Sequence, residues 1–157
     1  MYRRIVLGSL MLAGLAVSVH AMAVWVEMMG TWRLNTARSK YTGAPMPKQM
    51  TATYTLEGNG WRYEASGLSS AGEPFKMSYT YVKDGADVTT SGFPYWDTIV
   101  IDGGATREGS GTMKRHGAPV GHNSRSLSAD ARTLTIHGNV TTPEGTTVSY
   151  VEVYDKQ

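Results

Sequence analysis

Gly30-Thr31-Trp32-Arg33-Leu34-Asn35, continued by Thr36-Ala37-Arg38-Ser39-Lys40-Tyr41, reads as the opening strand of a small β-barrel. Glycine lets the chain turn in close, Trp32 supplies a large apolar plug, and Leu34, two residues on, shares its strand face. Asn35 is placed to cap one helical turn through Thr36 to Lys40, because its short side chain can accept from free N–H groups there, and that turn is expected to close one end of the barrel. Tyr41-Thr42-Gly43-Ala44-Pro45-Met46-Pro47-Lys48 then carries two prolines and a glycine, which exclude a helix of any length.

Downstream the pattern has period two. Met50, Ala52, Tyr54 and Leu56 fall on one face and Thr51, Thr53, Thr55 and Glu57 on the other. Gly58-Asn59-Gly60 marks a tight turn. Trp61, Tyr63 and Ala65 alternate with Arg62, Glu64 and Ser66, and Phe75, Met77, Tyr79 and Tyr81 alternate with Lys76, Ser78 and Thr80. Further strands are expected over 87–90, 98–102, 111–116, 119–127, 133–140 and 146–154, with a hairpin turn at Gly117-Ala118 and another through Pro143-Glu144-Gly145. The total is about ten short strands, and most of their links are short enough for hairpins. One apolar face per strand and consecutive antiparallel pairing indicate an all-β, up-and-down barrel, since a sheet this wide removes its open edges by curling shut. A two-sheet β-sandwich predicts nearly the same alternation and is the alternative.

The first residues read as a secretory signal peptide: Arg3 and Arg4 precede an apolar run from Ile5 to Val19, and Ala21-Met22-Ala23 fits a cleavage site. That run is too short for a membrane span and no second one follows, so no span is expected after cleavage, and a periplasmic or secreted location is. Residues 1–23 are thus assigned to the leader and 24–157 to one domain, in which Val24 to Met29 either plug the barrel end or form a flexible start. The 15 Lys and Arg include Arg3 and Arg4, so 13 remain against 13 Asp and Glu, with no basic run to attract nucleic acid. There is no cysteine, hence no disulfide, and the fold must rest on its core.

Gly30-Thr31-Trp32 resembles the Gly-x-Trp start of the lipocalins and the fatty-acid-binding proteins. The longer string Gly-Thr-Trp-Arg-Leu-Asn, with Ser39-Lys40-Tyr41, Pro45 to Lys48 and the ending Val153-Tyr154-Asp155-Lys156-Gln157, is similar to a family of small secreted bacterial proteins of unknown function described as lipocalin-like. The resemblance implies a barrel in the periplasm or outside the cell and brings no established ligand. Lipocalins usually carry a basic residue over the opening Trp, and Arg125 is the residue of this chain that the resemblance points to for Trp32. The two-helix lid of fatty-acid-binding proteins has no room between Tyr41 and Lys48, which implies an open site.

Catalytic chemistry has little to stand on. No Ser lies in Gly-x-Ser-x-Gly, and Gly103-Gly104 and Gly109-Ser110-Gly111 read as hairpin glycines, with no helix after them to cradle a phosphate. His116, His122 and His137 do not converge by register, so neither metal nor cofactor is expected. The distinctive feature is tyrosine on the inward faces: Tyr54, Tyr63, Tyr79 and Tyr81. Buried phenols need partners, and several together suggest an interior holding a ligand with a polar edge, with Phe93, Tyr95 and Trp96 around the mouth. Two readings stay open: a carrier or sensor of a small apolar molecule, or an envelope interaction module using Phe93, Tyr95 and Trp96 as an exposed anchor.

Overall fold

A computed structural model describes residues 26–157. The expected leader, with Val24 and Trp25, lies outside the described residues. Among them are eleven strands: β1 (Gly30–Leu34), β2 (Lys40–Thr42), β3 (Gln49–Glu57), β4 (Gly60–Leu68), β5 (Pro74–Tyr81), β6 (Asp87–Thr89), β7 (Thr98–Asp102), β8 (Glu108–Arg115), β9 (Ala118–Leu127), β10 (Thr133–Thr141) and β11 (Thr147–Lys156). All form one antiparallel sheet in the order β5-β4-β3-β1-β11-β10-β9-β8-β7-β6, with β2 also paired to β11. The two ends of the sheet meet through Ser78 of β5 and Ser91, just past β6, whose backbones exchange two hydrogen bonds of 2.9 Å. A single sheet whose ends come together is a barrel, so the sandwich alternative is excluded.

Hairpin chemistry sets the register. Gly58-Asn59 turns between the paired Glu57 and Gly60, and Gly58 takes φ of 57°. The turn expected at Gly117-Ala118 falls one residue earlier, on His116-Gly117 between the paired Arg115 and Ala118. Both turn residues have positive φ, 51° and 81°, the geometry that two-residue hairpins favour. The short β2 takes Lys40 from the end of the expected helical turn and Tyr41 and Thr42 from the proline-containing link that follows it. Its Tyr41 pairs with Tyr150, and Gly43 follows at φ 85°, where a Cβ would run into the backbone of Thr147. The strand exists because β11, ten residues long, extends past the end of five-residue β1 and leaves edge groups for a second partner.

The Asn35 cap forms as expected, Oδ1 accepting from the Arg38 N–H at 3.1 Å. The turn, however, lies along the side of β11 instead of closing an end. Asn35 N–H donates to the Val153 carbonyl at 2.8 Å, and the Ser39 hydroxyl accepts from Val153 N–H at 2.9 Å. The end is closed by the lead-in: Met28 is buried, its carbonyl accepts from Trp32 Nε1 at 2.9 Å, and Glu27 pairs with Arg107 at 2.6 Å. Trp32 is fully buried. Leu56 is on the expected face but 59% exposed, so β3 outruns the barrel wall at this position.

Candidate ligand cavity

The register of three consecutive strands builds the site's floor. Tyr54 pairs with Tyr63 and Tyr63 with Tyr79, so three inward phenol rings stand in a row across β3, β4 and β5. Their centroids lie 5.3 Å and 4.9 Å apart, spacings at which aromatic rings attract. Phe93 leans on this row, 6.3 Å from Tyr63 and 6.0 Å from Tyr79, and Trp96 packs on Phe93 at 4.7 Å. Gly92 permits the approach: at φ 79° it lies so close to Lys76 that a Cβ would strike that residue's carbonyl. Arg115 pins the same segment, Nη1 donating to the carbonyls of Tyr95 and Thr141, both at 3.1 Å.

Above this row is a cavity of about 440 Å³, within the range of small-molecule sites. Of the seven residues expected at a site, Tyr54, Tyr63, Tyr79, Phe93, Tyr95 and Trp96 line it. Tyr81 does not. Its ring stacks on Trp61 at 4.9 Å and its hydroxyl donates to Asp84 at 2.9 Å, beyond the cavity, where Trp61 Nε1 donates to the Gly104 carbonyl at 3.2 Å. Alternation placed Tyr81 correctly on the inward face; the height along the barrel, which alternation does not carry, removes it from the lining.

Arg125 also points inward but not over Trp32. Its Nη2 donates to the carbonyls of Gly103 and Thr106 at 2.9 Å and 3.0 Å. The cation over the Trp32 ring is Lys156, 5.1 Å from the centroid, because Trp32 pairs directly with Lys156 across β1 and β11. Gly109 and Gly111, read as hairpin residues, lie within β8. A Cβ at Gly109 would approach Arg125 Nη2 to 2.7 Å and one at Gly111 would approach Asn123 Oδ1 to 2.6 Å, so both glycines make room for inward polar side chains.

The side chain that sequence reasoning missed is Glu152. It lines the cavity from β11, with Oε1 accepting from the Tyr41 hydroxyl and Oε2 from the Tyr154 hydroxyl at 2.8 Å. Burial raises its pKa above the ordinary carboxylate value, while the two phenol hydrogen bonds pull the other way. Burial likewise holds Tyr63 and Tyr79 well above the ordinary phenol range. Tyr54 is pushed up to about 12 by burial, Arg125 opposing and Glu152 adding to the rise. These phenols are neutral donors and acceptors near pH 7. Tyr41 and Tyr150, stacked at 5.8 Å, and Asn123 complete the polar side of the lining. Trp96 Nε1 is a buried donor with no partner among the described residues.

The sequence carried one usable signal for Glu152. It shares a face of the last strand with Tyr150 and Tyr154, and that face is the inward one, with Val148. The opposite face holds Val151 and Val153, and Val153 is buried too, since the Asn35 to Ser39 turn bonds to it. Both faces are therefore covered, and apolarity alone does not choose between them. His116, His122 and His137 are exposed, and no group of three His, Cys, Asp or Glu among the described residues could hold a metal ion.

No family model matches the chain, and no curated protein matches it. Among solved structures it is similar to zebrafish ileal bile acid-binding protein complexed with cholic acid, at 13% identity and a TM-score of 0.46 over 83% of this chain and 99% of that one. It is also similar to lobster apocrustacyanin A1, at 10% identity and a TM-score of 0.40 over 92% and 72%. The siderocalin Ex-FABP is a third similar structure, at 10% identity and a TM-score of 0.39 over 83% and 74%.

Proposed function

We propose that the protein binds a small, largely apolar molecule with a polar edge inside the barrel, as a carrier or sensor in the periplasm or outside the cell. The observation that carries this is the cavity of about 440 Å³ walled by Tyr54, Tyr63, Tyr79, Phe93 and Trp96 and broken by a few polar groups, the composition ligand sites share. Location rests on Arg3, Arg4, the apolar run to Val19 and the Ala21-Met22-Ala23 site. The interaction-module reading needs the aromatic segment to face outward, whereas Phe93 packs against the inward rings of Tyr63 and Tyr79.

Titration of the domain with a neutral apolar dye such as Nile red, read by dye emission and by tryptophan quenching, tests the binding. Saturable one-site binding that Trp96→Phe alters is expected. A linear, non-saturating response in both proteins overturns it. Mass spectrometry of a periplasmic extract tests the location: cleavage after Ala23 or Ala21 supports it, and a membrane-bound form retaining Met1 refutes it.

A further inference from the structure

We propose that the occupant of this cavity carries a positively charged nitrogen, an apolar amine or ammonium, seated against Glu152 between tyrosine rings. This rests on the ligand-binding reading above and adds the charge of the ligand to it.

Glu152 lies at the wall of an otherwise mostly aromatic and aliphatic space. Each of its oxygens accepts one phenol, from Tyr41 and from Tyr154, which leaves about half of the carboxylate's roughly four lone-pair positions open. None of the ion pairs among the described residues includes it. The inward cation nearest in register is Arg125, reached through Ile136, which pairs with both. Two strand spacings separate them, about 10 Å between Cα atoms, and Arg125 Nη2 is committed to Gly103 and Thr106. The carboxyl is therefore a buried acid whose charge has no ion-pair partner among the described residues, and burial raises its pKa.

Each class of occupant meets this group differently. A carboxylate ligand would bring a second like charge to the same site, and a neutral chain would leave the acid as it is. An ammonium supplies the missing charge and the missing donors, and a desolvated ion pair with further hydrogen bonds is the arrangement that tolerates burial. The surroundings suit a cation as well. Tyr41 and Tyr150 stack beside Glu152, and Tyr54 and Tyr63 lie near enough for the carboxylate to bear on their phenols. Aromatic faces attract cations, most of all where water is excluded.

Three eight-carbon probes that differ only in headgroup, octylammonium, octanol and octanoate, are titrated at pH 7.5 as competitors of bound Nile red. Octylammonium is expected to compete at least about tenfold more tightly than octanol, the scale of one desolvated charge or cation–π contact, with octanoate the weakest. Glu152→Gln should erase the advantage of the ammonium over octanol. Tyr41→Phe, which keeps the carboxyl and removes one of its donors, should retain the order of the three. Octanoate equal to or tighter than octylammonium in the wild-type protein overturns the charge assignment while ligand binding stands, and so does a preference that survives Glu152→Gln. If neither the dye nor any probe binds saturably, the ligand-binding reading fails and this one with it.

Discussion

The Lys156 ammonium stands 5.1 Å from the centre of the Trp32 ring, and the two residues are also direct partners across β1 and β11. Lys156 donates in addition to the Glu27 carbonyl. The closed end is therefore a stack: the lead-in turn with Met28, the Trp32 indole bonded to it, and a lysine stem lying across the ring. The first and last strands are fastened at the point where the barrel must stay shut for a cavity to exist at the other end.

Truncation of Trp32 tests that fastening. Trp32→Ala removes a fully buried indole and its bond to the Met28 carbonyl, and is expected to cost about 3–5 kcal/mol. Domains of this kind have about 5–15 kcal/mol in total. Denaturant melts should show a large drop in midpoint beside a Thr53→Ala control; coinciding midpoints would contradict the organising role of this strand.

What the sequence disclosed and what it withheld divide along a physical line. Strand alternation reports which face a side chain takes, and it put Tyr54, Tyr63, Tyr79, Tyr81 and Trp32 inside correctly. It is silent on height along the barrel, which separates Tyr81 from the cavity, and on pairing across distant strands, which gives Trp32 to Lys156 and turns Arg125 to the loop at Gly103 to Thr106. Glu152 was hidden for a different reason. A lone acid in a strand ordinarily marks the solvent face, and its two phenol donors come from the three-residue β2 and from two positions along its own strand.

The division of the tyrosines can be measured directly. Tyr81→Phe loses one hydrogen bond to Asp84 and should lower stability by about 1 kcal/mol, with Nile red affinity unchanged. Phe93→Ala takes a ring off the Tyr63 and Tyr79 faces and should weaken the dye about tenfold, in line with the burial of one apolar side chain. A Tyr81→Phe protein that loses the dye as strongly as Phe93→Ala would put the cavity in the wrong part of the barrel.

Gly138 offers a steric test of the polar wall. It lies on β10 opposite Tyr150, and a Cβ there would run into the Tyr150 ring. Gly138→Ala must displace that ring toward the cavity, at a cost of about 1–3 kcal/mol for overpacking, and dye affinity should fall with it. Tyr150→Leu in the same chain should recover most of the lost stability, because it removes the clashing atoms. Additive losses in the double variant would show that the two sites do not touch.

Stability should also carry the signature of the buried acid. In the folded chain burial raises the Glu152 pKa above its ordinary value of 4.5. Tyr41, Tyr154, Tyr54, Tyr63 and Tyr150 are the titratable groups around it, and all are phenols with raised pKa values, so they keep their protons across the acid and neutral range. A raised acid binds its proton more tightly folded than unfolded, so the folded state holds more protons between the two pKa values and stability falls as pH rises through that window. The contribution is fully present below about 4.5 and is lost above the raised folded value. Glu152→Gln cannot ionise and lacks this dependence. Urea melts from pH 4 to pH 8 should therefore give a Glu152→Gln protein that gains on the wild type as pH increases, with the difference smallest at the acid end. Parallel curves, or a wild type that gains relative to the variant on going to neutral pH, would mean that Glu152 is compensated in the free protein and that its charge already has a partner.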